Sequence, residues 1–196
     1  KTAIPSLDTP NFRRLIEEDQ VYVDKTVYLL NLMLEEQRTY FFLGRPRKFG
    51  KTLLVDTMHE FFKGEEYLFN NTDIYKKRPA PWAKYPVIRI DSLEISSRFE
   101  DQYNADMVRQ LMSIAKSYFV HCVEKNMSFE LALNTLIDIL KANTGLKVVI
   151  LIDEYDYAYT NEHKDKIRGP LMLKLLQAFF GVLKAHYNNI HFCFIT

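Results

Sequence analysis

The sequence predicts an α/β fold built on a mainly parallel sheet. Three observations carry that expectation. Short apolar runs of strand length alternate with longer segments whose apolar residues recur at helical spacing. One of those runs, Val148–Ile152 (VVILI), is aliphatic throughout, as in a parallel strand buried on both faces. Another, Tyr40–Leu43, passes through a basic loop into Gly50-Lys51-Thr52 and then into a helical pattern. Strand, phosphate-sized loop and helix start, in that order, are the context of a phosphate-binding loop.

Thr9-Pro10-Asn11 predicts a helix start with Pro10 at the first position, followed by a short apolar face of Phe12, Leu15 and Ile16. Val21–Val23 reads as a brief extended piece, and Thr26 is expected to cap a helix carrying Leu29, Leu30, Leu32 and Met33. Residues 1–38 are thus a helical lead-in to the first strand, Tyr40–Leu43.

The corner after that strand reads Gly44-Arg45-Pro46-Arg47-Lys48-Phe49-Gly50-Lys51-Thr52. Free N–H groups at the start of the following helix, together with its dipole, favour an anion there. Lys51 can reach β- and γ-phosphates, and the Thr52 hydroxyl can ligate Mg²⁺. The loop Arg45–Thr52 is the candidate nucleotide cradle. It departs from G-x-x-x-x-G-K-[ST] at one place, since Arg45 stands where the first glycine belongs. The helix is marked by Leu53, Leu54, Met58, Phe61 and Phe62. From Gly64 to Lys84 the pattern weakens into loops, with Trp82 as an anchor against the core.

Val87–Ile90 is the second strand. Met107, Val108, Leu111, Ile114, Ala115, Tyr118, Phe119 and Cys122 then recur at helical spacing. Ser128 is expected to cap the next helix, and Gly145 to end it. Both helices read as structural, and His121 as a packed or rim histidine. The third strand, Val148–Ile152, ends in Asp153-Glu154-Tyr155-Asp156. Carboxylates at the C-terminal end of a parallel strand sit where ligands bind in open α/β sheets. Asp153 is the candidate Mg²⁺ ligand and Glu154 the candidate base that orients and deprotonates water. A strand ending in a charged turn would explain one carboxylate alone. A phosphate loop on a second strand upstream favours the site. Asn161–Lys166 reads as a polar loop in which His163 has no metal-ligand partner. Pro170 opens a last helix, and His191–Ile195 is a fourth strand ending in Thr196.

The chain resembles the AAA-ATPase-like family of bacterial proteins, over nearly its whole length. The resemblance rests on Tyr22-Val23-Asp24-Lys25-Thr26, the Gly44–Thr52 loop, Tyr85-Pro86-Val87-Ile88, Ile152-Asp153-Glu154-Tyr155-Asp156 and Phe194-Ile195-Thr196. Arg45 in place of the first glycine is itself a mark of that family. Its members often have a proline soon after the acidic motif, where this chain reads Tyr157-Ala158-Tyr159. The resemblance implies a P-loop NTPase three-layer sandwich with a sheet of the additional-glutamate type, in strand order 5-1-4-3-2. Only four of those strands are found, so the chain is expected to be one partial ATPase domain, cut after the fourth. It also implies that a restriction-endonuclease-like domain usually follows. Thr196 would be the polar sensor near the γ-phosphate. Phe12 and Tyr22 are aromatic candidates for stacking on the base, against plain core packing.

The 196 residues suffice for one α/β core. At 47% hydrophobic and 26% charged the composition is that of a globular chain. A net charge of +1 gives no global field towards nucleic acid or membrane. Cys122 and Cys193 read as buried small hydrophobes rather than a zinc site or a disulfide framework. No apolar run approaches the ~20 residues that cross a bilayer, and no signal peptide is seen, so a cytoplasmic protein without a membrane partner is expected. The chain begins at Lys1 rather than Met, so its natural start is expected upstream.

The function expected is ATP binding and Mg²⁺-dependent hydrolysis. Neither Asn-Lys-x-Asp nor an Asp-x-x-Gly form of the acidic motif is present, which argues against GTP. One alternative is a nucleotide-dependent switch with little hydrolysis. Another is a phosphate- or nucleic-acid-binding adaptor for a downstream nuclease domain. No arginine finger can be assigned, Arg98 and Arg168 being without support, and the sequence does not define an oligomeric state.

Overall fold

The structure, a computed structural model, describes residues 11–34, 38–44, 49–78, 81–92, 100–155 and 168–196. Arg45–Lys48, Pro10, Arg98, Asp156, Tyr157–Tyr159 and the expected loop 161–166 lie outside them.

Four strands, β1 (Tyr40–Phe42), β2 (Val87–Asp91), β3 (Val148–Asp153) and β4 (Ile190–Ile195), pair in the order β1-β4-β3-β2. All three pairings are parallel. Parallel neighbours need long crossovers, and helices lie between successive strands. Two helices, α1 (Phe12–Glu17) and α2 (Thr26–Leu34), precede β1; α3 (Lys51–Phe62) and α4 (Asp73–Lys77) lie between β1 and β2, and α5 (Glu100–Ser117) and α6 (Phe129–Thr144) between β2 and β3. A seventh, α7 (Arg168–Ala185), leads into β4.

Side chains of a strand alternate between faces, and the two faces meet different helices. Ile88, Ile90, Val148, Ile150, Ile152, Cys193 and Ile195 pack with residues of α5, α6 and α7, such as Leu111, Leu133 and Leu183. Val87, Val149, Leu151, Phe192 and Phe194 pack with residues of α1 to α4, such as Phe12, Leu29, Met58 and Ile74. β3 is buried at all six positions, as its aliphatic run requires. Each of its aliphatic side chains, Val148 to Ile152, contributes about 1.5–3 kcal/mol over an exposed one. The result is a three-layer α/β fold with the sheet in the middle.

Register aligns the strand ends. Asp91 lies opposite Asp153, Ile152 opposite Ile195, and Ile195 opposite Phe42. The residues that leave the strands, Leu43, Glu154 and Thr196, therefore share one edge of the sheet.

Ser128 caps α6 by accepting from the Leu131 N–H at 3.2 Å, and Gly145 ends it at φ 68°. Trp82 is buried, its indole donating to the Arg78 carbonyl at 2.8 Å.

Four expectations are corrected. Asn11 caps α1, accepting from the Arg14 N–H at 2.9 Å, so the helix starts at Phe12 rather than at Pro10. Thr26 is a helical residue rather than a cap, because its hydroxyl accepts from the Ile74 N–H at 3.0 Å. Asp24 takes over the local role, accepting from the Thr26 N–H at 2.8 Å. α5 ends at Ser117, so the apolar pattern outruns the helix. Phe119 has φ 58° and is 91% exposed, while Cys122 follows outside the helix. Finally α7 begins at Arg168, placing Pro170 in its first turn, where a missing N–H is tolerated.

Candidate functional site

The corner after β1 forms as its residues dictate. Gly50 sits at φ 75° immediately before α3 and offers no side-chain cap. A left-handed residue costs about 1–2 kcal/mol with a side chain and little with glycine. No capping side chain from Gly50 therefore competes for the first N–H groups of α3. Lys51 opens the helix and is buried, while Thr52 is half-buried. Phe49 is exposed, so its ring takes no part in the core. Arg45, Pro46, Arg47 and Lys48 are outside the described residues.

The acidic pair ends β3. Asp153 is fully buried. Its Oδ1 accepts from the Thr196 hydroxyl at 2.9 Å. Its Oδ2 is also buried and has no hydrogen-bond partner among the described residues. A buried acceptor left unmade costs about 1–3 kcal/mol, so an orphan at a strand end marks a position that a ligand can complete. The turn beyond is tied to β4: the Thr196 N–H donates to the Ile152 carbonyl and the Tyr155 N–H to the Thr196 carbonyl, each at 2.9 Å. Glu154, between these ties, is held at φ 54°. That conformation costs a non-glycine residue on the order of 1 kcal/mol. It turns the side chain towards α3, where Glu154 Oε1 lies 3.4 Å from Lys51 Nζ.

The structure thus joins Lys51 to Glu154 and Thr196 to Asp153, and the adjacent acidic residues join the two pairs. The strands that lead to Lys51 and to the carboxylates, β1 and β3, are parallel to β4 but are not immediate neighbours. β4 lies between them and contributes Thr196. Asp153 bonds to Thr196 and not to Thr52.

Among the described residues no group of three or more His, Cys, Asp or Glu could hold a metal ion. A Mg²⁺ carried on nucleotide phosphates needs only one or two protein oxygens. The unpartnered Asp153 Oδ2, with the Thr52 hydroxyl beside Lys51, fits that demand. It does not fit an all-protein cage.

Some expectations do not belong to the site. Phe12 is fully buried, packed 4.9 Å from Phe69 and 5.0 Å from Tyr22 between ring centroids. It is a core residue and no platform for a base. Burial also pushes the Cys193 thiol up to about 12, which suits packing rather than nucleophilic chemistry.

A polar tie behind the site escapes sequence reasoning. Asp56, on the inner side of α3, accepts from the Phe12 N–H with one oxygen and from Arg89 of β2 with the other. It fastens lead-in, loop helix and sheet together. The signal was an aspartate between Val55 and Met58 and an arginine inside an apolar strand.

Fold and site together define an α/β protein with a P-loop-like corner facing strand-end carboxylates. The chain belongs to the AAA-ATPase-like family, described as Predicted AAA-ATPase, whose model matches residues 7–196. It is 34% identical over 140 residues to "Uncharacterized protein in vnfD 5'region" of Azotobacter chroococcum mcd 1. That match covers 71% of this chain and 26% of the relative, so the chain spans about a quarter of the relative's length. No solved structure matches the chain significantly. Among the described residues no helix is long and apolar enough to cross a membrane.

Proposed function

We propose that the chain binds ATP and hydrolyses it with Mg²⁺, as a domain of the additional-glutamate type acting in the cytoplasm. The observation that carries this reading is the 3.4 Å approach of Lys51 and Glu154, from motifs about a hundred residues apart. The position of β4 between β1 and β3, with Glu154 next to Asp153, supports the additional-glutamate assignment.

In this reading the phosphates bind at the segment Arg45–Thr52, against the free N–H groups at the start of α3. Lys51 leaves Glu154 for the β- and γ-phosphates and offsets the charge that develops during transfer. Glu154, released, holds a water in line with the γ-phosphate and accepts its proton. Thr196 keeps Asp153 in one rotamer through the 2.9 Å bond and sits where the γ-phosphate would be sensed. Asp153 and Thr52 would hold the Mg²⁺, which when bound supplies charge to the phosphate oxygens.

The Lys51–Glu154 pair also favours a second reading. Each group occupies the other before nucleotide enters, as suits a nucleotide-dependent switch that turns over slowly.

Phosphate release from ATP tests the choice. The first reading expects release that needs Mg²⁺, stops with chelator and exceeds that from GTP. ATP binding without release supports the switch. No ATP binding contradicts both.

A further inference from the structure

Lys25 is a cation that the roles above leave unused. A methyl group added at Gly50 would stand 3.6 Å from its Nζ, so the ammonium lies against the glycine that opens α3. Its backbone is clamped on both sides. Asp24 accepts from the Thr26 N–H at 2.8 Å with one oxygen and from the Asp73 N–H at 2.7 Å with the other. The buried Thr26 hydroxyl accepts from the Ile74 N–H at 3.0 Å. The Tyr22 phenol faces the Thr57 side chain on α3 and the Lys25 backbone. With Asp24 committed to two amides, no carboxylate among the described residues is recorded within ion-pair distance of Lys25.

Such a placement is unfavourable in an empty site. A helix start is the positive end of its dipole and repels a cation, and Lys51 adds a like charge one residue after Gly50. An anion at the corner attracts both ammonium groups and the helix start, and so offsets these repulsions. The unpartnered, fully buried Asp153 Oδ2 is a separate mark of a ligand at the same edge of the sheet. We propose that Lys25 is a second phosphate-contacting cation, supplied by the lead-in to the phosphate chain of a bound nucleoside polyphosphate. The inference rests on the nucleotide reading above. Because the lead-in clamps Lys25 before the ligand arrives, little backbone freedom is left to lose on binding.

The test is ATP affinity, by calorimetry, in wild type, Lys25→Met, Lys25→Arg and Lys51→Ala. Lys25→Met keeps the aliphatic stem and removes the charge. The expected result is a loss of ~10- to 100-fold in ATP affinity, the range for a hydrogen bond to a charged group. Lys25→Arg should restore most of it, and Lys25→Met should show a weaker salt dependence than wild type. The melting temperature without nucleotide should not fall in Lys25→Met, which separates lost contact from lost structure. Wild-type affinity retained in Lys25→Met while Lys51→Ala loses it would overturn the Lys25 assignment alone. No ATP affinity in wild type would overturn the nucleotide reading, and this inference with it.

Discussion

Glu154→Gln is expected to bind ATP at least as tightly as wild type while losing turnover by about 10²- to 10⁴-fold, the range for a positioned general base. Glutamine keeps the length of the side chain and one hydrogen-bonding oxygen, so a water can still be held. It cannot accept that water's proton. The direction of the binding effect follows from the ion pair. In wild type the nucleotide must draw Lys51 away from Glu154, 3.4 Å distant. The amide competes less for the ammonium, so the phosphates meet a freer Lys51. Equilibrium binding and single-turnover phosphate release, measured side by side, check both halves. Normal turnover in the variant would remove Glu154 from the chemistry.

Asp153→Asn is expected to remove the response to Mg²⁺ without weakening the unliganded fold. Asp153 is fully buried, yet among the described residues only one of its oxygens is bonded, to Thr196. Burying a charge without a partner is costly, so relieving it should leave the melting temperature unchanged or raised. The amide oxygen can still accept from Thr196. What the amide nitrogen cannot do is ligate a cation. ATP affinity should therefore lose its dependence on Mg²⁺, and turnover should fall by ~100-fold or more if metal charge stabilisation of several kcal/mol is lost. A Mg²⁺ titration of ATP affinity, with melting curves of both proteins, decides the matter. A large fall in stability with the Mg²⁺ response intact would make Asp153 a structural residue.

Much of this architecture is legible in the chain because burial writes directly into composition. Val148–Ile152 is buried on both faces and is aliphatic at every position, so β3 and the carboxylates after it could be found together. Ser128 and Gly145 announce the ends of α6, because capping and left-handed geometry select those residue types. Lys51 and Glu154 were each legible as candidate site residues, but their meeting depends on the strand order.

The illegible parts share a different cause. The Thr26 hydroxyl has a local use, as a cap, and a distant one, at the Ile74 N–H. Only the fold decides between them. Asp56 and Arg89 look misplaced on apolar elements until each supplies the other's charge. Phe119 continues the apolar rhythm of α5 although the helix has ended, since periodicity records spacing and not where hydrogen bonding stops. The proximity of Lys25 to Gly50 falls in the same class: the motif Tyr22–Thr26 was visible, but which element it approached was not.

The central claim is that Lys51 and the Asp153-Glu154 pair form one nucleotide site, and thermal denaturation tests it most directly. With ATP and Mg²⁺ at about 100 times the dissociation constant, linkage predicts about 2.7 kcal/mol of added stability. For a chain of this size that is a rise of roughly 5–10 °C in the melting temperature. The account predicts the rise in wild type and its absence in Lys51→Ala under the same conditions. An equal rise in both proteins, or none in wild type, would contradict it.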